Sequence, residues 1–167
     1  MTGFGIGQPV RRREDLRLVT GNGSYTDDIN LPGQAYAVMV RSPHAHARIR
    51  AIDIAPAMAA PGVLAVLTGR DLLADGLKPI PHKVWSQHPA EVMLREHNGF
   101  KTFTAPHYAL PSDKVRFAGE AVAVVIATTV AAAKDGAELV EIDYETLPAV
   151  TDTLEAAHPD APPQACR

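Results

Sequence analysis

The sequence predicts a single domain that mixes short strands with one main helix. Two runs and the punctuation around them carry this. Ala121–Ala127 is a continuous, valine-rich apolar run, the signature of a central strand buried on both faces. Val130, Ala133, Ala137 and Val140 follow at 3-4-3 spacing, which lines one face of a helix. Glycine and proline separate these runs from shorter apolar ones upstream. At 167 residues, one domain is the expectation.

Residues 1–20 are glycine-rich, then basic, and have no strong period; they read as an N-terminal arm that packs on something else. Gly21-Asn22-Gly23 is a turn, and Ser24–Ile29 is expected to be a short extended piece before a second turn at Pro32-Gly33. Gln34–Arg41 reads as a strand. Ala35, Ala37 and Met39 face one way and Tyr36, Val38 and Val40 the other, so both faces are expected to be buried. Ser42-Pro43-His44 breaks that strand, and Ala47–Ile54 forms a second, partly solvated one. Pro56–Ala60 is a single helical turn, with proline tolerated at its start. Pro61-Gly62 ends it. Val63–Thr68 is a short buried strand and Gly69–Leu73 a brief helix.

Residues 74–106 differ. Pro79, Pro81, Pro89 and Pro106, three histidines (His82, His88 and His97) and the only tryptophan, Trp85, fall there without period. A loop this long inside a domain points to function, disorder or ordering by a partner. Trp85 in such a loop leans toward an interface anchor over a core one.

Regular structure returns at Lys114–Phe117. Thr128 or Thr129 can cap the helix after the central strand, because a threonine hydroxyl accepts a free backbone N–H. Gly136 inside that helix costs about 1 kcal/mol relative to alanine, which points to close packing. Ile142 and Tyr144 alternate with Glu141, Asp143 and Glu145 as a strand does, so 121–145 reads strand–helix–strand. The tail beyond Val150, with Pro159, Pro162 and Pro163, reads as a linker.

Composition narrows the chemistry. A net charge of −3 gives no electrostatic footprint for nucleic acid. The single cysteine, Cys166, allows no internal disulfide and no iron–sulfur cluster held by this chain alone. No apolar run nears the roughly 20 residues of a membrane span. Arg11–Arg13 lacks the apolar stretch of an export signal, so the expected location is cytoplasmic.

Specific sites are sparse. The strand–helix junction is Ala127-Thr128-Thr129, without the glycines that expose backbone N–H groups to a phosphate. His44 and His46 would share one side of an extended backbone and could offer two metal ligands. No third is fixed by spacing, and a turn held by side-chain hydrogen bonds carries more weight. The acidic series Glu141, Asp143 and Glu145 reads as a solvated face before a cation rim. Gly119 permits a bend before the central strand, flanked by Arg116 and Glu120. An ion pair fixing that turn and a polar contact to a neighbouring domain stand as equal readings.

Several motifs recur in a known order. They are Arg13-x-x-x-Arg17-Leu18-x-Thr20-Gly21-x-Gly23-x-Tyr25-Thr26-Asp27-Asp28-Ile29, Arg41-Ser42-Pro43-His44-Ala45-His46-Ala47-Arg48-Ile49, and Pro61-Gly62-Val63 with Leu67-Thr68-Gly69-x-Asp71-Leu72. Lys114-Val115-Arg116-Phe117-x-Gly119-Glu120 and Glu141-Ile142-Asp143-Tyr144-Glu145-x-Leu147-Pro148 follow. From about residue 5 to 152 the chain resembles the N-terminal α/β-hammerhead domain of the molybdenum-binding large subunit of the xanthine dehydrogenase, aldehyde oxidase and carbon monoxide dehydrogenase family. The resemblance implies an α+β fold, with a mixed sheet, one main helix and a β-hammerhead portion. It implies an assembled oxidoreductase with molybdopterin, iron–sulfur clusters and FAD, none of them bound by this chain. The implied partners are the molybdenum-binding domain or subunit and the iron–sulfur and FAD subunits.

The expected organisation is therefore an arm at 1–20, a hammerhead domain at 21–152 with its insertion at 74–106, and a linker-like tail at 153–167. No residue is assigned to catalysis, cofactor or metal. Arg13, Arg17, Asp27, Asp28, His44, His46, Trp85, Arg116, Gly119 and Glu120 are candidates for a structural motif or a partner interface. A structural role in a molybdenum hydroxylase is the first functional reading, and a stand-alone binding protein that keeps the fold is the second.

Overall fold

The structure, a computed structural model, describes residues 12–80, 106–156, 158 and 160–162. The chain divides into two compact units, 1–34 and 35–167. In the first, α1 (Asp15–Val19) is a five-residue helix with Arg12 Nε 3.0 Å from Asp15 Oδ1 at its start. The extended piece expected at 24–29 is instead a 3-10 turn, Thr26–Asp28. Asp28 closes it twice: its amide donates to the Tyr25 carbonyl (3.0 Å) and its carboxylate accepts the Tyr25 amide (2.8 Å). Side chain and backbone thus compete locally with an extended conformation, and win.

The second unit holds six strands and four short helices among its described residues. They are β1 (Tyr36–Arg41), β2 (Ala47–Asp53), α2 (Ala55–Met58), β3 (Val63–Thr68), α3 (Gly69–Ala74), β4 (Lys114–Val115), β5 (Ala121–Ala127), α4 (Val130–Glu138), β6 (Glu141–Thr146) and α5 (Thr153–Ala156). They make two three-stranded sheets, ordered β1-β5-β3 and β4-β2-β6. Every pairing among the described residues is antiparallel, where the resemblance implied a mixed sheet. The apolar run of β5 takes the middle position because both of its edges and one of its faces are covered. Val122, Ala123, Val125 and Ala127 are fully buried.

β5, α4 and β6 follow one another as the apolar pattern indicates, yet β5 and β6 lie in different sheets. The turn after α4 delivers β6 to β2, where Ile49 faces Tyr144 and Ile52 faces Ile142. Two core clusters form, and the first draws on both sheets, since Val122 belongs to β5. Ala47, Ile49, Val115 and Val122 form one, with Ile52, Ile142 and Tyr144 against it. Ala57, Val66 and Val125 form the other, beside α4 and α2. Val40 touches both and joins them. Each fully buried valine contributes about 1.5–3 kcal/mol.

Three local expectations change. β1 exposes Ala37, Met39 and Arg41 on one face, because it is an edge strand with α4 behind it on the other side. The regular structure expected at 114–117 is a two-residue strand that ends at Val115, where the chain turns toward Gly119. The tail carries a helical turn, α5, begun by Asp152 Oδ1, which accepts the amides of Leu154 (2.8 Å) and Glu155 (3.1 Å). Ile80 bridges His107, its amide donating to the His107 carbonyl at 2.7 Å. Residues 81–105 between them, with Trp85 and most of the 74–106 insertion, lie outside the described residues.

α4 seats as its sequence indicates. Thr129, rather than Thr128, caps it, accepting the Ala132 amide at 3.1 Å. A Cβ on Gly136 would sit 2.7 Å from Val63 Cγ2 and 3.0 Å from Val125 Cγ1. Gly136→Ala therefore sets two effects against each other. Helix propensity gains about 1 kcal/mol, while forcing a methyl against stiff β-branched side chains costs about 1–3 kcal/mol. We expect a net loss of about 1 kcal/mol in urea denaturation. A net gain would show that the valines yield.

Candidate functional site at the sheet junction

Where β1 ends, the chain crosses from one sheet to the other, and polar groups collect there. A register shift between Val40 and Arg41 turns β1 away from β5. The pairing survives the kink through two backbone bonds, Ser42 amide to Glu120 carbonyl (2.9 Å) and Gly119 amide to Ser42 carbonyl (2.8 Å). Arg41 Nη1 donates to the Gly119 carbonyl at 2.8 Å. Gly119 adopts φ +87°, a left-handed conformation that glycine enters without strain. That turn points the buried Glu120 carboxylate back at its own loop, where Oε2 accepts the Arg116 amide at 2.6 Å.

The Arg116–Glu120 ion pair that the spacing allows is not the contact that forms. Arg116 Nη1 donates instead to the Lys114 carbonyl (3.1 Å), and Nη2 lies 3.8 Å from Asp113 Oδ1. Glu120 thus fixes the turn through backbone, and Phe117 stands 53% exposed at its tip.

His44 and His46 enter the same junction by different routes. Ser42, nearly fully buried, holds the turn: its hydroxyl accepts the His44 amide (3.0 Å) and donates to the His44 carbonyl (3.3 Å). His44 meets Tyr144 edge-on, with ring centroids 4.9 Å apart at 66°. His46 is 6% exposed, and its Nδ1 lies 2.8 Å from the Pro148 carbonyl. A carbonyl only accepts, so Nδ1 carries the proton. Among the described residues Nε2 is buried with no hydrogen-bond partner, and Tyr144 Oη, also buried, has only a weak contact with the Ser42 hydroxyl.

Burial pushes the Tyr144 phenol above its ordinary value of 10.0; the nearby Ser42 hydroxyl pulls it down, and the Glu120 carboxylate pushes it up again. A phenol with a raised folded pKa favours folding most below pH 10 and loses that contribution as pH climbs through the folded value. Tyr144→Phe should therefore flatten the fall in stability above pH 10. At pH 7 it should be neutral or stabilising by up to about 1 kcal/mol, because it removes a buried hydroxyl that lacks a well-formed hydrogen bond. Thermal melts across pH 7–11 would read both effects. A marked loss at pH 7 would mean that the hydroxyl has a partner.

The remaining candidates lie elsewhere in the sequence. Arg13, Arg17, Asp27 and Asp28 are exposed on the first unit, and Trp85 lies outside the described residues. The acidic strand is partly neutralised, since Glu145 Oε2 takes Arg48 Nε (3.3 Å) and Arg50 Nη2 (2.9 Å). These are exposed pairs worth little to stability. Glu141 faces Asp53 across β2–β6, and both are exposed. Sequence reasoning passed over Ser42 and Tyr144, although the abrupt Ser42-Pro43 break was a usable signal.

The described residues do not fit the cofactors that the resemblance implies. No three His, Cys, Asp or Glu side chains converge on a metal position among them. The free amides at the start of α4 belong to a non-glycine junction, and Thr129 occupies one of them. No described helix is long and apolar enough to cross a membrane.

Fold and site together define a two-sheet α/β building block with a hydrogen-bonded polar junction. The aldehyde oxidase and xanthine dehydrogenase a/b hammerhead domain matches residues 20–148. The chain is 40% identical over 158 residues to the carbon monoxide dehydrogenase large chain of Afipia carboxidovorans, covering 95% of this chain and 17% of that one. It is 41% identical over 149 residues to the nicotine 6-hydroxylase large subunit of Paenarthrobacter nicotinovorans, covering 88% and 16%. The crystal structure of a Cu,Mo-CO dehydrogenase superposes with a TM-score of 0.75 at 40% identity, over 95% of this chain and 18% of that chain. This chain belongs to the aldehyde oxidase and xanthine dehydrogenase hammerhead family. It spans about a sixth of the length of the curated relatives it matches.

Proposed function

We propose that this chain serves as the hammerhead portion of a molybdenum-dependent oxidoreductase in the cytoplasm, completing its large subunit and packing against neighbouring subunits. The observation that carries the reading is that 95% of the chain shares its fold with 18% of a Cu,Mo-CO dehydrogenase chain. Molybdopterin, iron–sulfur clusters and FAD then reside in the rest of the assembly, and the substrate is chosen there. The role of this chain is mechanical. A turn pinned by Glu120, Arg41 and Ser42 holds Phe117 outward at a fixed angle, with little ordering entropy left to lose on assembly.

The test is recovery of the tagged 167-residue chain from its native host, followed by mass spectrometry and metal analysis. The expected result is a molybdenum-containing polypeptide in stoichiometric amount, with no molybdenum on the chain purified alone. Recovery of the chain without such a polypeptide, or molybdenum on the isolated chain, would overturn the reading.

A further inference from the structure

The β1-β5-β3 sheet has two faces, and α4 covers one. Gly136 of α4 lies against Val63 and Val125, which identifies the covered side. On the other side the register lines up Met39, Val124 and Leu67, with Ala37, Ile126 and Ala65 in the next row. All six are apolar, and no helix covers them among the described residues; Ala37 and Met39 are exposed, Met39 by 47%, and the other four are half-buried. An antiparallel sheet with one solvated face alternates apolar and polar residues. β5 does not alternate: Ala121–Ala127 has no polar side chain on either face. Its composition matches a strand covered on both sides.

We propose that this helix-free face docks onto the molybdenum-binding remainder of the large subunit, an inference that rests on the assembly reading above. Size separates that occupant from a second copy of the chain. Three strands about 4.8 Å apart, two rows deep, present on the order of 200 Å². A free-standing complex buries about 800 Å² on each partner. The face is too small to hold a dimer by itself, and it suits one contact among many with a partner several times larger. The relatives supply such a partner, since the matched segment is 17% of the carbon monoxide dehydrogenase large chain. The docking surface must be apolar as well, because these six side chains offer nothing to pair with a buried charge.

The test compares the full chain with Met39→Asp, and with Lys134→Glu on the exposed side of α4 as a control. The probe is the molybdenum-containing polypeptide recovered with the wild-type chain. Met39→Asp should bind it at least tenfold more weakly and Lys134→Glu equally well, while the isolated Met39→Asp chain melts within about 2 °C of wild type, as a surface substitution does. Wild-type binding by Met39→Asp would overturn the docking face and leave the assembly reading standing. Failure to recover a molybdenum polypeptide would overturn both. A wild-type dimer that Met39→Asp makes monomeric would assign the face to a second copy. Misfolding or a large fall in melting temperature in the isolated variant would show that the face is covered from within the chain. Either result overturns the proposal.

Discussion

Gly69→Ala is expected to destabilise the second unit by about 3 kcal/mol or more, toward the upper end of overpacking costs. Gly69 opens α3 directly after β3 and is buried. A Cβ there would collide with the Pro111 carbonyl oxygen and lie 2.6 Å from its carbon and 2.7 Å from the Leu110 carbonyl oxygen. All three are backbone atoms, so no rotamer change relieves the clash. The segment is also held: Pro111 is buried and Leu110 is 4% exposed. At this chain length 3 kcal/mol corresponds to a fall in Tm of about 6–12 °C. Arg70→Ala, at the exposed neighbouring position, should stay within about 0.5 kcal/mol. Equal melting temperatures for Gly69→Ala and wild type would mean that the Leu110–Pro111 segment moves freely away from α3.

Glu120→Ala is the second large effect, expected to cost about 2–3 kcal/mol. The carboxylate is 7% exposed and accepts the Arg116 amide at 2.6 Å, a charge-assisted bond whose removal leaves a donor unsatisfied. Glu120→Gln keeps an acceptor and should cost about half as much. The informative readout is local. Amide exchange at Arg116 should quicken in Glu120→Ala far more than at Val122 or Val125 in the neighbouring strand. Unchanged exchange at Arg116 would show that the Ser42 backbone bonds and the Arg41 guanidinium hold the turn unaided. If Phe117 works as an assembly contact, the same variant should weaken recovery of the molybdenum polypeptide even where most of the chain is folded.

Which features are legible in the sequence follows from the range of the interactions that create them. β5 and α4 were legible because their signals are local: an uninterrupted apolar run, and apolar spacing that matches a helical turn. The Thr129 cap and the tight seat of Gly136 were legible for the same reason. The turn at 26–28 was misread because Asp28 closes it with a side-chain bond that no periodicity records. The burial of β1 was overstated because alternation gives the two faces of a strand but not whether its sheet will have cover on both. At the junction, Arg116 and Glu120 were found, but their contact was not. The direction of the Glu120 carboxylate depends on one left-handed residue, Gly119.

The sequence by itself determined the segments, the family and the absence of a phosphate-binding junction before α4, since each is written in neighbouring residues. Only the tertiary structure decided that β5 and β6 part into separate sheets, that Gly69 leaves no room for a methyl beside residues 110–111, and that one apolar face of β5 carries no helix among the described residues. Those features depend on backbones that lie far apart in the chain and meet only in the folded protein. Side-chain periodicity carries no information about such meetings.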